Sequence, residues 1–179
     1  DRGLGHWIDY ILTRNTINTK PDVRLLNLLE EMAERYPNQD TIRLKGIKRM
    51  VELGGTKYTT ALVIAERGNI EFKNENYSEA VDLFETAISL DDQQYLFYEN
   101  AAMAYDNLKE YSKAEEYFDK VIYDFKTKDG KSEFIKGLML IKNNNPIGCN
   151  YLETAAKKNY TDIESELTGI NVFRQLCQG

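Results

Sequence analysis

NYSEAVDLFETAISLDD (residues 76–92) is answered thirty-four positions later by EYSKAEEYFDKVIYDFK (residues 110–126). Tyr77 returns as Tyr111, Ala80 as Ala114, Phe84 as Phe118 and Ile88 as Ile122, with no gap between them. A fixed period of this size marks an array of similar supersecondary units, each of which buries its apolar face against the next.

With Ala61 as first position, the units are 61–94, 95–128 and 129–160. Small or apolar residues recur in the first as Ile64, Gly68, Phe72, Ala80, Phe84 and Ala87, and in the second as Tyr98, Ala102, Asp106, Ala114, Phe118 and Val121. Asp106 breaks the apolar match, and its neighbour Tyr105 serves the core instead. Each unit holds two apolar patterns of helical period around a short polar turn, KNEN (73–76) in the first and KNNNP (142–146) in the third. Asn76 is the expected N-cap, with Glu79 closing a capping box. Asn145 is expected to cap the third unit's second helix, with Pro146 in its first position. In that unit Gly148, Leu152 and Ala155 take the small, bulky and small places. Lys136 stands where a small residue is expected. A one-residue shift puts Gly137 there and predicts a shorter turn.

These positions resemble the tetratricopeptide repeat family, whose units carry a small residue at position 8, Ala at 20, an aromatic at 24 and a small residue at 27. Gly68, Ala80, Phe84 and Ala87 fit, as do Ala102, Ala114 and Phe118. The resemblance implies an all-α fold, a right-handed superhelical solenoid of antiparallel helix pairs. It implies no catalysis, no cofactor and no metal, and a module that binds a peptide or helix in a concave groove lined by the first helices. The groove residues it assigns are Leu62, Asn69, Phe72, Leu96, Glu99, Asn100, Met103, Asp106 and Leu140. Such a surface is apolar with acidic spots and suits a partner with apolar anchors and a basic flank. A chaperone-type carboxylate clamp is disfavoured, because its cations are replaced by Ala65, Gly130 and Phe134, leaving Lys131 as the one nearby substitute.

The flanks read as caps. Residues 1–58 suggest an amphipathic helix through Trp7 and Ile11, then a degenerate helix pair over 22–53. Residues 161–179 suggest capping helices in which Val172, Phe173, Leu176 and Cys177 cover the third unit. The chain therefore divides as 1–58, 59–160 and 161–179, about ten helices in all. Trp7 and Phe173 would carry the alternative function, a structural subunit that self-assembles through its ends or convex face into a homo-oligomer.

Other chemistry finds little support. The formal charge is −6, with +2 on residues 1–60 and −8 on the rest. Lys45, Lys48 and Arg49 share a helix side without interleaved aromatics, which argues against nucleic acid. His6 is the single histidine and has only Asp9 at helical spacing. Glu30-Glu31, Asp91-Asp92 and Glu115-Glu116 point in different directions on a helix and do not converge on one bond. No apolar run reaches membrane-spanning length. Cys149 and Cys177 do not make a disulfide framework; two buried thiols is the leading reading, with a bridge between the two widely spaced cysteines as the lesser one. PIGCNYLETAAKKNY (146–160) resembles the last repeats of bacterial cell-envelope repeat proteins. Cytoplasm, or periplasm after loss of a leader before Asp1, both remain open.

Overall fold

The computed structural model describes residues 45–48, 57–162 and 168–178. The helix expected around Trp7, nearly all of the degenerate pair over 22–53, His6 and Arg49 lie outside the described residues. Residues 45–48 are helical, with Ile47 buried and Lys45 exposed. From residue 57 the elements are α1 (Lys57–Lys73), α2 (Tyr77–Leu90), α3 (Tyr95–Asn107) and α4 (Tyr111–Asp119). A π-helical stretch (Lys120–Phe125) continues α4, followed by α5 (Lys131–Lys142), α6 (Gly148–Lys157) and α7 (Gly169–Cys177). The described residues contain no strand, only an isolated bridge between Thr161 and Thr168. The fold is all-α, built of adjacent helix pairs. The chain forms two compact units, residues 1–97 and 98–179, so that most of α3 belongs to the second.

In the first unit α1 packs on α2. The helices meet where Gly68 faces Phe84. A Cβ on Gly68 would lie 2.7 Å from Phe84 Cε1, so only glycine permits this approach. Phe84, Ala80 and Ala87 are wholly buried. In the second unit α5 packs on α6 in the same way, with Gly137 against Leu152, where a Cβ would be 2.8 Å from Leu152 Cγ. Between these pairs in sequence, α3 and α4 bury Ala102, Ala114 and Phe118 completely. Tyr117 lies against Tyr98 and Tyr105, with ring centroids 5.9 and 5.5 Å apart. Tyr105 is buried while Asp106 is not, as the sequence pattern required.

All three pairs use one turn. Glu75, Lys109 and Asn144 adopt the left-handed conformation, with φ of 64°, 62° and 59°. The next N–H in each returns to a carbonyl five residues back: Asn76 to Glu71 at 2.9 Å, Glu110 to Tyr105 at 2.9 Å and Asn145 to Leu140 at 2.8 Å. This is the Schellman arrangement, which satisfies the last carbonyls of the first helix. The expected capping box at Asn76 does not form. The Asn76 amide donates to Glu71 Oε2 at 2.8 Å, and Glu79 instead approaches Arg67 at 3.6 Å. In the third turn Asn145 Oδ1 accepts the Ile147 N–H at 3.1 Å, and the α-helix proper starts at Gly148, not at Pro146.

The turn of the third unit is not shortened. Gly68 to Asn76, Ala102 to Glu110 and Gly137 to Asn145 are each eight positions. The missing residue belongs to the opening of α6: Gly148 follows Asn145 by three positions, where Ala80 follows Asn76 by four. A compensating extra residue lies upstream. Ala87 to Ala102 is 15 positions and Val121 to Gly137 is 16. The π-helical stretch and a linker of five residues (126–130), where the preceding unit has four (91–94), both fall within that interval. Gly137, not Lys136, therefore fills the small position. Lys136 points elsewhere, 1% exposed, bonded to Asp119 Oδ1 at 2.6 Å and 4.6 Å from the Tyr151 ring.

At the end of the chain α7 packs on α6, and Cys149 and Cys177 are joined in a disulfide with their Cα atoms 5.7 Å apart. This corrects the reading of two buried thiols: 28 positions of sequence are closed by the return of α7 along α6. Val172 is buried and Phe173 partly so, while Leu176, expected in the cap, stays 45% exposed.

Replacing Gly68 or Gly137 by Ala adds a methyl group where 2.7–2.8 Å is open. The overpacking of about 1–3 kcal/mol cancels the helix-propensity gain of about 1 kcal/mol at its lower limit and exceeds it by about 2 kcal/mol at its upper. Phe84→Ala and Phe118→Ala each remove a fully buried ring and are expected to cost about 3–5 kcal/mol. Chemical denaturation of the four variants checks both, with the Phe variants lower in stability than the Gly variants.

Candidate functional site

The residues assigned to the first-helix surface divide between the units, and each unit is taken alone. On α1, Leu62 is buried. Asn69 is half-buried and donates through Nδ2 to Glu66 Oε2 at 2.9 Å. Phe72 is half-buried and meets the Tyr77 ring edge-on, with centroids 5.3 Å apart. Leu96, at the start of α3, is exposed.

In the second unit the first helices α3 and α5 are linked by an ion pair at one end. Near their N-termini Glu99, 1% exposed, accepts from Lys131 Nζ at 2.6 Å and from Ser132 Oγ at 2.7 Å. Toward their C-termini the Lys142 charge favours the ionised Asp106 carboxyl. Glu99 is thus enclosed beside an opposite charge, and Lys131 is engaged with it. Leu140 is buried within α5. Asn100, Met103 and Asp106 are half-buried and follow one another at three-residue spacing, which sets them along one side of α3. Burial pushes the Asp106 carboxyl above the ordinary carboxylate range, and Lys142 only partly offsets this.

The sequence reading missed a second class of residue, the enclosed charges. Glu71, beneath the first turn, accepts from Arg67 Nε at 2.7 Å and from Asn76. Glu133, 2% exposed, pairs with Lys158, which also bonds the Thr127 carbonyl. Among the described residues Glu133 Oε2 and Thr127 Oγ1 are buried without a protein partner. Lys136 adds Glu115 at 3.9 Å to its bond with Asp119. Beside it, Tyr123 and Tyr151 share a hydroxyl hydrogen bond at 3.2 Å, which with some burial pushes the exposed Tyr123 phenol up to about 12. The usable signal was a charge inside an apolar run, such as Glu71 in IEF, with an opposite charge four residues before it. Glu133 and Lys158 are too far apart in sequence to leave such a mark.

These enclosed charges are structural ties, each already matched by an opposite charge. Among the described residues no group of three or more His, Cys, Asp or Glu is gathered to hold a metal, and no helix is long and apolar enough to cross a membrane. What the geometry defines is an all-α helical-repeat protein. Two tetratricopeptide repeats are recognised in the chain: residues 63–94 and 96–123 match the family's sequence pattern, described as Tetratricopeptide repeat. Repeats of this family are generally protein-interaction modules and generally non-enzymatic. No curated protein matches the chain.

Two outcomes check the electrostatics. Lys131→Met leaves the Glu99 carboxylate enclosed without its cation and is expected to cost about 2–3 kcal/mol in chemical denaturation. Asp106 has a raised folded pKa, so its contribution is most favourable below the unfolded value of 3.8 and is lost as pH rises through the folded value. Asp106→Asn should therefore melt higher than the parent at pH 7, and the gain should vanish near pH 3. A thermal melt at the two pH values reads the difference.

Proposed function

We propose that the protein is a non-catalytic adaptor that binds a peptide or helical segment of another protein along its first-helix faces. The observation that carries this reading is the α3 face of the second unit. Asn100, Met103 and Asp106 remain partly accessible there, while the charges around them are paired off. Met103 offers an adaptable apolar contact. Asp106, at a carboxylate made uncomfortable by burial, gains from an incoming cation. The partner is accordingly an apolar segment with a basic flank. Asn69 and Phe72, at the corresponding repeat positions of α1, serve the first unit in the same manner. Glu99 and Leu140 act from beneath by holding α3 and α5 in place, since both are enclosed. Leu62 does likewise for α1.

One observation favours self-assembly as the second reading. α7 exposes Ile170 and Leu176, and a shallow cavity of about 390 Å³ beside it is lined by Ala156, Ile170 and Phe173 with Glu153, Lys157 and Arg174 at the rim. A rim of both signs suits a second copy of the chain.

Affinity capture followed by a binding titration of the recovered partner tests the adaptor. Met103→Ala and Phe72→Ala should each weaken binding about 5- to 30-fold, the range of a 1–2 kcal/mol anchor. Asp106→Lys should slow association and flatten its salt dependence. Wild-type binding by all three folded variants removes the first-helix faces from consideration. A sedimentation shift abolished by Ile170→Asp would then favour self-assembly.

A further inference from the structure

We propose that the Cys149–Cys177 disulfide is a redox latch: α7 is docked on α6 in the oxidised chain and leaves it in the reduced one. The inference does not rest on the adaptor reading. With nine residues, α7 is shorter than the roughly 12–15 that an isolated helix needs to persist in water. Its helical state depends on what it packs against, and that support is uneven. The N-terminal end is well held. Gly169 sits so close to the α6 backbone that a Cβ would be 3.0 Å from the Ala155 carbonyl carbon, and its N–H donates to the Tyr160 carbonyl at 2.8 Å. Thr168 Oγ1 caps the helix by accepting the Asn171 N–H.

Beyond Val172 the support thins. Arg174, Gln175 and Leu176 are exposed and Phe173 is half-buried. The covalent bond from Cys177 to Cys149 is what holds the far end on α6. Under α7 lies an apolar cluster of Phe134, Leu152 and Ala155, with Val172 completing it and Phe173 and Tyr160 at its margin. Release of the helix uncovers that cluster while leaving α5 and α6 paired through Gly137 and Leu152. The bond is therefore placed to decide whether the end of the third repeat is covered.

The chemistry balances with a dithiol as reductant. Its first thiolate attacks one sulfur of the disulfide and expels the other as a thiolate. Its second thiolate then resolves the mixed disulfide, so that Cys149 and Cys177 receive two electrons and two protons and the reductant leaves as its own disulfide. Both cysteines are half-buried, not sealed, so a small dithiol has access. Closing the latch needs an oxidant of the same class, a disulfide donor, as found in compartments where such bonds form.

Amide hydrogen exchange on the full chain tests the latch in three states: oxidised, treated with dithiothreitol, and the Cys149→Ser/Cys177→Ser double variant. Removing a cross-link over a 28-residue separation should speed exchange in residues 168–178 about a hundredfold. The double variant should match the reduced protein, with dithiothreitol adding nothing to it, and residues 131–157 should keep their protection. Unchanged protection of α7 after reduction overturns the proposal. Protection lost equally across α5, α6 and α7 also overturns it, because the bond would then be a general staple and not a latch.

Discussion

The structure depends on how closely two helices approach when one of them has no side chain at the crossing. Gly68 lets Phe84 lie flat on the α1 backbone, and Gly137 lets Leu152 do so on α5. The burial of the larger partner is complete in both cases. Once that contact is made, the tilt of the pair and the length of the turn are fixed, and the faces turned outward are fixed with them. The threefold recurrence of the left-handed turn residue follows from the same constraint. A chain reversing between helices this close has room for one tight solution, and Glu75, Lys109 and Asn144 all adopt it without glycine.

A second layer is electrostatic. Glu71, Glu99, Glu133 and Lys136 are enclosed, and each has an opposite charge within 2.7 Å. Enclosed pairs of this kind add little net stability compared with apolar packing, but breaking one leaves a stranded charge. They therefore act as register pins. Glu99 can meet Lys131 and Ser132 together only when α3 and α5 are aligned along their lengths. On the same helix Asp106 is only half-buried, and burial raises its carboxyl pKa.

The helix pairs of residues 57–157 were legible because their signals are local and repeated. Small and bulky residues recur at a fixed period, and Phe84 and Phe118 are buried as that period requires. The turns were read at the right places but through the wrong chemistry. Asn76 suggests a cap for the helix after it, whereas its amide serves Glu71 in the helix before it. The disulfide was not legible, because two cysteines 28 positions apart carry no sign of whether their helices return together. Of the first-helix surface, Met103, Asp106, Asn69 and Phe72 could be named from repeat position. Glu99 could be named too, but its enclosure depends on Lys131 of another helix, which no pattern within α3 encodes.

The opening of α6 sets a limit on how this array tolerates change. It is one residue shorter than the corresponding opening of α2. Successive residues on an α-helix are rotated by about 100°. Restoring the residue before Gly148 would turn α6 by that angle relative to its turn, swinging Leu152 away from Gly137 and Cys149 away from Cys177. The short opening is thus tied both to the helix crossing and to the disulfide, and it cannot be lengthened toward the regular repeat without loosening the two together.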